Sequence, residues 1–188
     1  FRYSLVDGVR DGFLVNPIVV DARTEITTQL LSDKGYAVAV TNTLGEEYGQ
    51  VFFQKDYEKK LFSERTNRML CETFLNNALL DPITHEIGKS IMFCVSQEHA
   101  SKMTQILNEM AEQRWPGQYH SDFAVQVTSN VMNAQQYAVA FANNNLNGHT
   151  DWLDGYASSR TRVCVTVGMM TTGYDCRDLL NVCLARPI

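Results

Sequence analysis

The stretch from Arg162 to Ile188, RVCVTVGMMTTGYDCRDLLNVCLARPI, constrains the fold of this 188-residue chain more than any other. Val163, Val165 and Val167 alternate with Cys164 and Thr166, so both faces of the run are apolar or nearly so. A strand of that kind belongs in a sheet covered by helices on both sides, the setting of a parallel sheet. The run ends at Gly168, and Met169 to Asp175 follows as a polar loop. Loops leaving the carboxyl ends of parallel strands are where open α/β sheets hold their ligands. Thr171 and Thr172 bring hydroxyls, Gly173 lets backbone come close to a ligand, and Asp175 brings a carboxylate. Hydroxyls and backbone N–H groups suit phosphate oxygens, while a carboxylate suits a ribose hydroxyl or a cation. The same residues also fit a plain polar turn after a core strand.

The preceding segments repeat the pattern. Ile91 to Val95 reads as a second buried strand. Ser96 then suits a helix N-cap, with Glu98 in the first turn, where the helix dipole favours an acid. Ala100, Met103, Ile106, Leu107 and Met110 form the apolar stripe of that helix, which ends near Trp115-Pro116-Gly117. Ala124 to Thr128 is the next strand, and Ser129-Asn130 leads into a helix with Met132, Gln136, Val139 and Ala140 on one face, Tyr137 and Phe141 beside it. Asn143 to Ser159 reads as a loop with a short helical turn, anchored by Trp152, Leu153 and Tyr156. Upstream, Arg65 to Ala78 is a helix with Met69, Leu70, Thr73, Phe74 and Ala78 on one face, stopped at Asp81-Pro82. Strand–helix–strand–helix–loop–strand–strand fits a doubly wound, mainly parallel sheet.

Gly88-Lys89-Ser90 has the ending of a phosphate-binding P-loop. That motif needs a glycine at position 83, where Ile83 stands, and it follows a strand and opens a helix. Here the strand comes after, so the residues are rejected as a Walker A site. The N-terminal third is less regular. Tyr3, Leu5, Val6 and Val9 make a rough helical stripe, Pro17 disfavours helix near Leu14–Asn16, Ile18 to Val20 is extended, and Ala37 to Val40 is a short strand candidate. Lys55 to Lys60 is a charged connector.

A hydrophobic content of 45% is ordinary for a soluble globular protein. The five cysteines lack C-x-x-C pairing, which points to reduced thiols and away from zinc. The four histidines lack metal spacing and read as surface or capping residues. There is no signal peptide and no membrane-length apolar run. A net charge of −5 is the wrong sign for a chain that grips nucleic acid strongly by itself. The chain begins at Phe1 rather than Met, and a strand runs into its C-terminus, as expected of a segment of a longer protein.

Thr171-Thr172-Gly173-Tyr174-Asp175-Cys176, followed by Asp178-Leu179-Leu180-Asn181 and a strand ending in Arg186-Pro187, resembles motif V of superfamily-two helicases. The form is that of the motor subunit of type I restriction endonucleases. The strand–Ser96–helix unit is similar to motif IV of such motors. Asp11 to Val15 (DGFLV), with the strand-rich excursion after it, resembles their bridge between motor domains. The resemblance implies an α/β, RecA-like second motor domain over residues 63–188, a mainly parallel sheet with flanking helices. Residues 1–62 would be the bridging segment from the preceding motor domain. It also implies a full-length parent that hydrolyses ATP with Mg²⁺, translocates on double-stranded DNA and cleaves it, with neither ATP nor Mg²⁺ bound to the segment alone. The partners implied are the first RecA-like and nuclease domains of the same chain and the methyltransferase and specificity subunits. The setting is bacterial or archaeal cytoplasm, with no membrane. By position, Thr171 and Thr172 fall on nucleic-acid phosphates, with Ser96, Gln97, Thr128 and Ser129 as further contacts. Gly173 and Asp175 fall on ATP. Gly168 departs from the family, many members of which have Asp there, and the arginine fingers of motif VI fall beyond Ile188. Two other readings stay open: another superfamily-two helicase or remodeller, and an inert α/β interaction domain. A Gln-x-x-Gly-Arg-x-x-Arg run soon after Ile188 would separate the motors from the inert domain.

Overall fold

A computed structural model describes residues 4–20, 28–32, 35–41, 47–52 and 64–186. Near the N-terminus, α1 (Leu5–Arg10) starts from a capping box: Ser4 Oγ accepts the Asp7 N–H at 3.2 Å and Asp7 Oδ2 accepts the Ser4 N–H at 3.0 Å. The expected extended run at Ile18 to Val20 is irregular and exposed. Strands β1 (Thr28–Ser32), β2 (Gly35–Thr41) and β3 (Glu47–Phe52) form an antiparallel meander, with the expected strand at Ala37 to Val40 in its centre. The charged connector Lys55 to Lys60 lies outside the described residues.

The larger unit starts with α2 (Glu64–Asn77) and continues through β4 (Ser90–Cys94), α3 (Gln97–Arg114), β5 (Ala124–Gln126) and α4 (Ala134–Ala142). Then come β6 (His149–Leu153), β7 (Tyr156–Ser159), β8 (Val163–Thr166) and β9 (Asn181–Ala185). Four of these strands form one parallel sheet in the order β5-β8-β4-β9, with Met92 opposite both Val165 and Cys183. The two central strands are buried at every position, as their two-faced apolar sequences require. Val163 and Val165 face a core shared with α2 and α3, through Cys71, Leu75, Met103 and Leu107. Cys164 faces the other core, with Phe141 of α4, Leu146, and Tyr174 and Cys176 of the connector before β9. The result is a sheet flanked by helices on both sides, an α/β fold.

Two helix faces differ from the sequence reading. In α2 the fully buried residues are Asn67, Cys71 and Leu75; Leu70, Phe74 and Ala78 of the expected face pack half-buried against the same core, while Met69 is exposed. The stripe is rotated because Asn67, a polar residue, is satisfied in the core by His99, whose Nε2 lies 3.2 Å from its Oδ1. In α4 the inward residues are Ala134, Tyr137, Ala138, Phe141 and, from the expected face, Ala140, whereas Val139, and Met132 just before the helix, face solvent. That helix is apolar almost all round, so more than one stripe fits its sequence and packing chooses. The helical turn expected within residues 143–159 is instead the antiparallel hairpin β6–β7, closed by Asp154-Gly155 with Gly155 at φ +81°. Histidine placement is also corrected for His99, which is buried, whereas His85 and His120 are exposed.

At the amino edge of the sheet, each central strand is preceded by a buried cation. Lys89 Nζ donates to the Phe141 carbonyl at 2.5 Å, Asn144 Oδ1 at 2.9 Å and Asp178 Oδ1 at 2.8 Å. Arg162 donates to the Ile87 carbonyl at 2.5 Å, the Ser159 carbonyl at 3.1 Å and the Ser158 hydroxyl, and its Nη2 lies 3.7 Å from Asp81 Oδ2. Asp81 in turn accepts the Tyr156 hydroxyl and the backbone N–H groups of Ile83 and Thr84. The Gly88-Lys89-Ser90 triplet is thereby spent on structure. A Cβ on Gly88 would stand 2.7 Å from the Leu79 carbonyl oxygen, and Ser90 Oγ donates to the Gly88 carbonyl at 2.6 Å.

A fully buried ammonium left facing only neutral acceptors is costly. Asp178→Ala is therefore expected to lower unfolding stability by about 3 kcal/mol, roughly 10 °C in Tm for a chain of this size. The double variant Lys89→Met/Asp178→Leu, which removes the charge as well as its partner, is expected to be more stable than Asp178→Ala alone. Urea unfolding of the two variants checks this, and a double variant no more stable than the single one would show that the pair is not coupled.

Candidate functional site

Because the four strands are parallel, the loops after β4, β5 and β8 and the residue after β9 all leave from the carboxyl edge of the sheet. That edge carries most of the residues singled out from sequence. Ser96 is the N-cap of α3, and its Oγ accepts the His99 N–H at 3.1 Å. Gln97 opens the helix; its Nε2 donates to Ser129 Oγ at 3.1 Å, and its Oε1 is buried with no hydrogen-bond partner among the described residues. Gln126 donates both to the Gln97 carbonyl at 3.2 Å and to Thr128 Oγ1 at 3.0 Å. The loops after β4 and β5 are thus held together by two glutamine side chains. Thr128 is buried at 2% exposure and its hydroxyl is engaged inside the protein, whereas Ser129 is exposed.

The loop after β8 is anchored at both ends and open in the middle. Thr166 Oγ1 donates to the Met169 carbonyl at 3.1 Å, and Thr171 Oγ1 to the Gly168 carbonyl at 2.8 Å. Further on, the Tyr174 hydroxyl donates to the Ala138 carbonyl of α4 at 2.7 Å. Burial holds that phenol above its ordinary pKa, so it stays a donor. Between these anchors Thr171, Thr172 and Gly173 are exposed, as is Asp175 just beyond. Asp175 makes no hydrogen bond or ion pair with a described residue. Gly173 has φ +68° and Met170, a residue with a side chain, has φ +66°. A left-handed non-glycine residue stores strain that the surrounding structure must hold, and such positions cluster at functional sites.

The arrangement offers hydroxyls, amides and one free carboxylate. It has no nucleophile–base pair, and no three metal-ligating side chains cluster among the described residues. Groups of this kind can hydrogen-bond to an anion or a sugar hydroxyl. Sequence reasoning missed three residues that shape it: Gln126, Arg186 and His99. Gln126 carries no local signal, and Arg186 stands in the sequence only as part of the Arg186-Pro187 strand ending; the contacts of both come from strands brought side by side. His99 was recognisable only as a first-turn residue of α3, four positions from the buried Met103.

His99 also sets a pH dependence. The Val95 N–H lies 3.5 Å from Nδ1, and Nε2 faces Asn67 Oδ1, a pairing that suits the neutral Nε2–H tautomer. Burial first, then the Lys102 charge, lowers its pKa from 6.5 to about 4. Between those values the unfolded chain binds a proton that the folded chain refuses, so stability is full above about pH 6.5 and falls on acidification. At about 1.4 kcal/mol per unit, the loss reaches roughly 3 kcal/mol by pH 4. Urea unfolding from pH 7.5 to 4 is expected to show this slope, flattened in His99→Gln. Parallel wild-type and variant curves would overturn the assignment.

No protein-family model matches the chain. It is similar to the type I restriction enzyme EcoKI endonuclease subunit of Escherichia coli (strain K12), with 26% identity over an alignment of 198 residues. The alignment covers 100% of this chain and 16% of that subunit. The chain therefore spans about a sixth of the length of the relative it matches, and the likeness extends to the meander and α1 as well as to the parallel sheet.

Proposed function

We propose that this chain is a motor segment of a type I restriction system: the second RecA-like domain, preceded by a bridging segment, of a subunit that moves double-stranded DNA at the expense of ATP and cleaves it. The observation that carries the reading is the loop of residues 168–175. It sits at the carboxyl edge of a parallel sheet, in a chain similar from end to end to a restriction endonuclease subunit. In this reading Thr171 and Thr172 present hydroxyls to DNA phosphates, with Ser129 and the Gln97 amide beside them. Thr128 and Ser96, whose hydroxyls are already engaged, support those loops and leave their backbone N–H groups for phosphate contact. Gly173 and Asp175 face the nucleotide, the carboxylate accepting from a ribose hydroxyl.

In this reading hydrolysis draws on groups outside the segment. Its one Gly-Lys-Ser triplet is committed to the fold, and its carboxylates form no metal cluster among the described residues. The phosphate loop and the Mg²⁺ carboxylates would come from the first RecA-like domain, and the arginine fingers from motif VI. The other partners in this reading are the nuclease domain of the same chain and the methyltransferase and specificity subunits.

The test uses Thr172→Ala and Asp175→Ala in the full-length subunit. Both side chains are exposed and free of described partners, so stability is expected to change by less than about 0.5 kcal/mol. DNA-stimulated ATP hydrolysis and the cleavage that depends on translocation are expected to fall at least about tenfold, the loss of one charge-assisted contact. Lowered Tm with wild-type ATPase would mean that the loop serves the fold and not the motor.

A further inference from the structure

Arg186, the residue after β9, is held by two contacts at the carboxyl edge. Its Nη1 donates to the Val167 carbonyl at 2.8 Å, and its guanidinium carbon lies 5.3 Å from the centroid of the Phe93 ring. Val167 is the first residue after β8, and Phe93 is the penultimate residue of β4. The guanidinium therefore spans the top of β4, from the end of β9 to the start of the loop that carries Thr171 and Thr172. Phe93 is nearly buried, so the ring is a fixed platform, and stacking on it orients the guanidinium plane.

Arginine has five N–H donors in a rigid fork. One is used here, and Nε and Nη2 make no hydrogen bond to a described residue. Nor does a described carboxylate pair with the charge. The contrast with Arg162 is instructive: that guanidinium, at the opposite edge, is fully buried and bound to carbonyls, a hydroxyl and Asp81. A chain of net charge −5 thus keeps, at the carboxyl edge of its sheet, an oriented, half-buried cation that no described carboxylate pairs. A carbonyl tether alone would not call for a charge, because any N–H donor serves.

We infer that Arg186 is a phosphate-binding residue, offering its unused N–H donors to non-bridging phosphate oxygens held at the carboxyl edge of the sheet. The inference rests on the proposed function for the source of the phosphate, which is either the DNA backbone or the nucleotide. In both cases the fork and the adjacent threonine hydroxyls address one anion from two sides.

The experiment compares wild type, Arg186→Gln and Arg186→Lys in the full-length protein, with Arg177→Ala, an exposed cation on the connector, as the control. Glutamine keeps an N–H for the Val167 carbonyl and lacks the charge. Binding is measured to a short fluorescein-labelled DNA duplex across a salt series and to a fluorescent ATP analogue. Arg186→Gln is expected to weaken one of the two probes about tenfold at unchanged Tm. Arg186→Lys is expected to recover part of the loss, and Arg177→Ala to lose much less. If the phosphate belongs to DNA, the slope of log K against log salt becomes shallower by about 0.9. If it belongs to the nucleotide, the DNA slope stays and affinity for the analogue falls. Wild-type binding with no loss in Arg186→Gln, or an equal loss in Arg177→Ala, overturns the role of Arg186 and leaves the proposed function standing. A wild-type protein that binds neither probe overturns both.

Discussion

The parallel sheet depends on an ammonium group placed where there is no water. Lys89 precedes β4, the central strand that carries both β8 and β9, and it is 1% exposed. Taking an ammonium out of water costs several kcal/mol unless its donors are met. Here three acceptors meet them, and each lies on a different element: the Phe141 carbonyl in the last turn of α4, Asn144 just beyond it, and Asp178 on the connector to β9. The charge also lies 4.7 Å from the centroid of the Phe141 ring. Burial pushes the Asp178 carboxyl up, but hydrogen bonds from Lys89 and Asn144 outweigh it and hold the carboxyl below its ordinary range. The connector between β8 and β9 has no helix of its own to pack against the sheet. Its position comes from this ion pair and from Tyr174, Cys176 and Leu179 in the second core.

Arg162 does the equivalent work before β8, where the elements joined are the β6–β7 hairpin and the segment leading into β4. The outcome is a division along the strand axis. The amino edge holds buried, paired charges, and substitutions there act on stability. At the carboxyl edge are exposed hydroxyls, and a carboxylate and guanidinium donors that no described residue engages. Open α/β sheets commonly keep ligands at that edge. Strand direction supplies the reason, since it decides which residues end in a packed base and which in a loop facing outward.

Much of this was legible in the sequence, and for definite reasons. Strands β4 and β8 could be read because they are buried on both faces and so are apolar without interruption. The start of α3 could be read because Ser96 is followed by an acidic first turn and an unbroken stripe from Ala100 to Leu107. The face of α2 could be read only in part: Leu70, Phe74 and Ala78 do pack on the core, but Asn67 is a polar residue whose burial depends on His99, distant in sequence. The β6–β7 hairpin carried a signal that was overlooked: Asp154-Gly155 sits between Leu153 and Tyr156, and an Asp-Gly pair is a strong hairpin indicator. Its strands are polar enough to pass for loop, and they are held in part by Ser158 and Ser159, which are buried through Arg162. Within the candidate site, residue types and their loop were readable. Which hydroxyls remain free was legible only in part: Ser96 reads as an N-cap, but the bond from Gln126 to Thr128, two residues on, has no sequence signal.

The loop of residues 168–175 connects these two levels. Its entry is tied by the bond from Thr166 to the Met169 carbonyl and by the bond from Arg186 to Val167. Its exit is tied by Tyr174 to α4 and, three residues after Asp175, by Asp178 to Lys89. Between the ties stand Met170 and Gly173, both left-handed, and the exposed threonines. A segment held firmly at both ends and strained in the middle has few conformations available to it, so little entropy remains to be lost when a ligand binds there. The same anchors join the loop to α4 and to the base of β4 by hydrogen bonds. A loop built this way presents its hydroxyls and its carboxylate in fixed positions at one edge of the sheet, which is the preorganisation that any ligand there would meet.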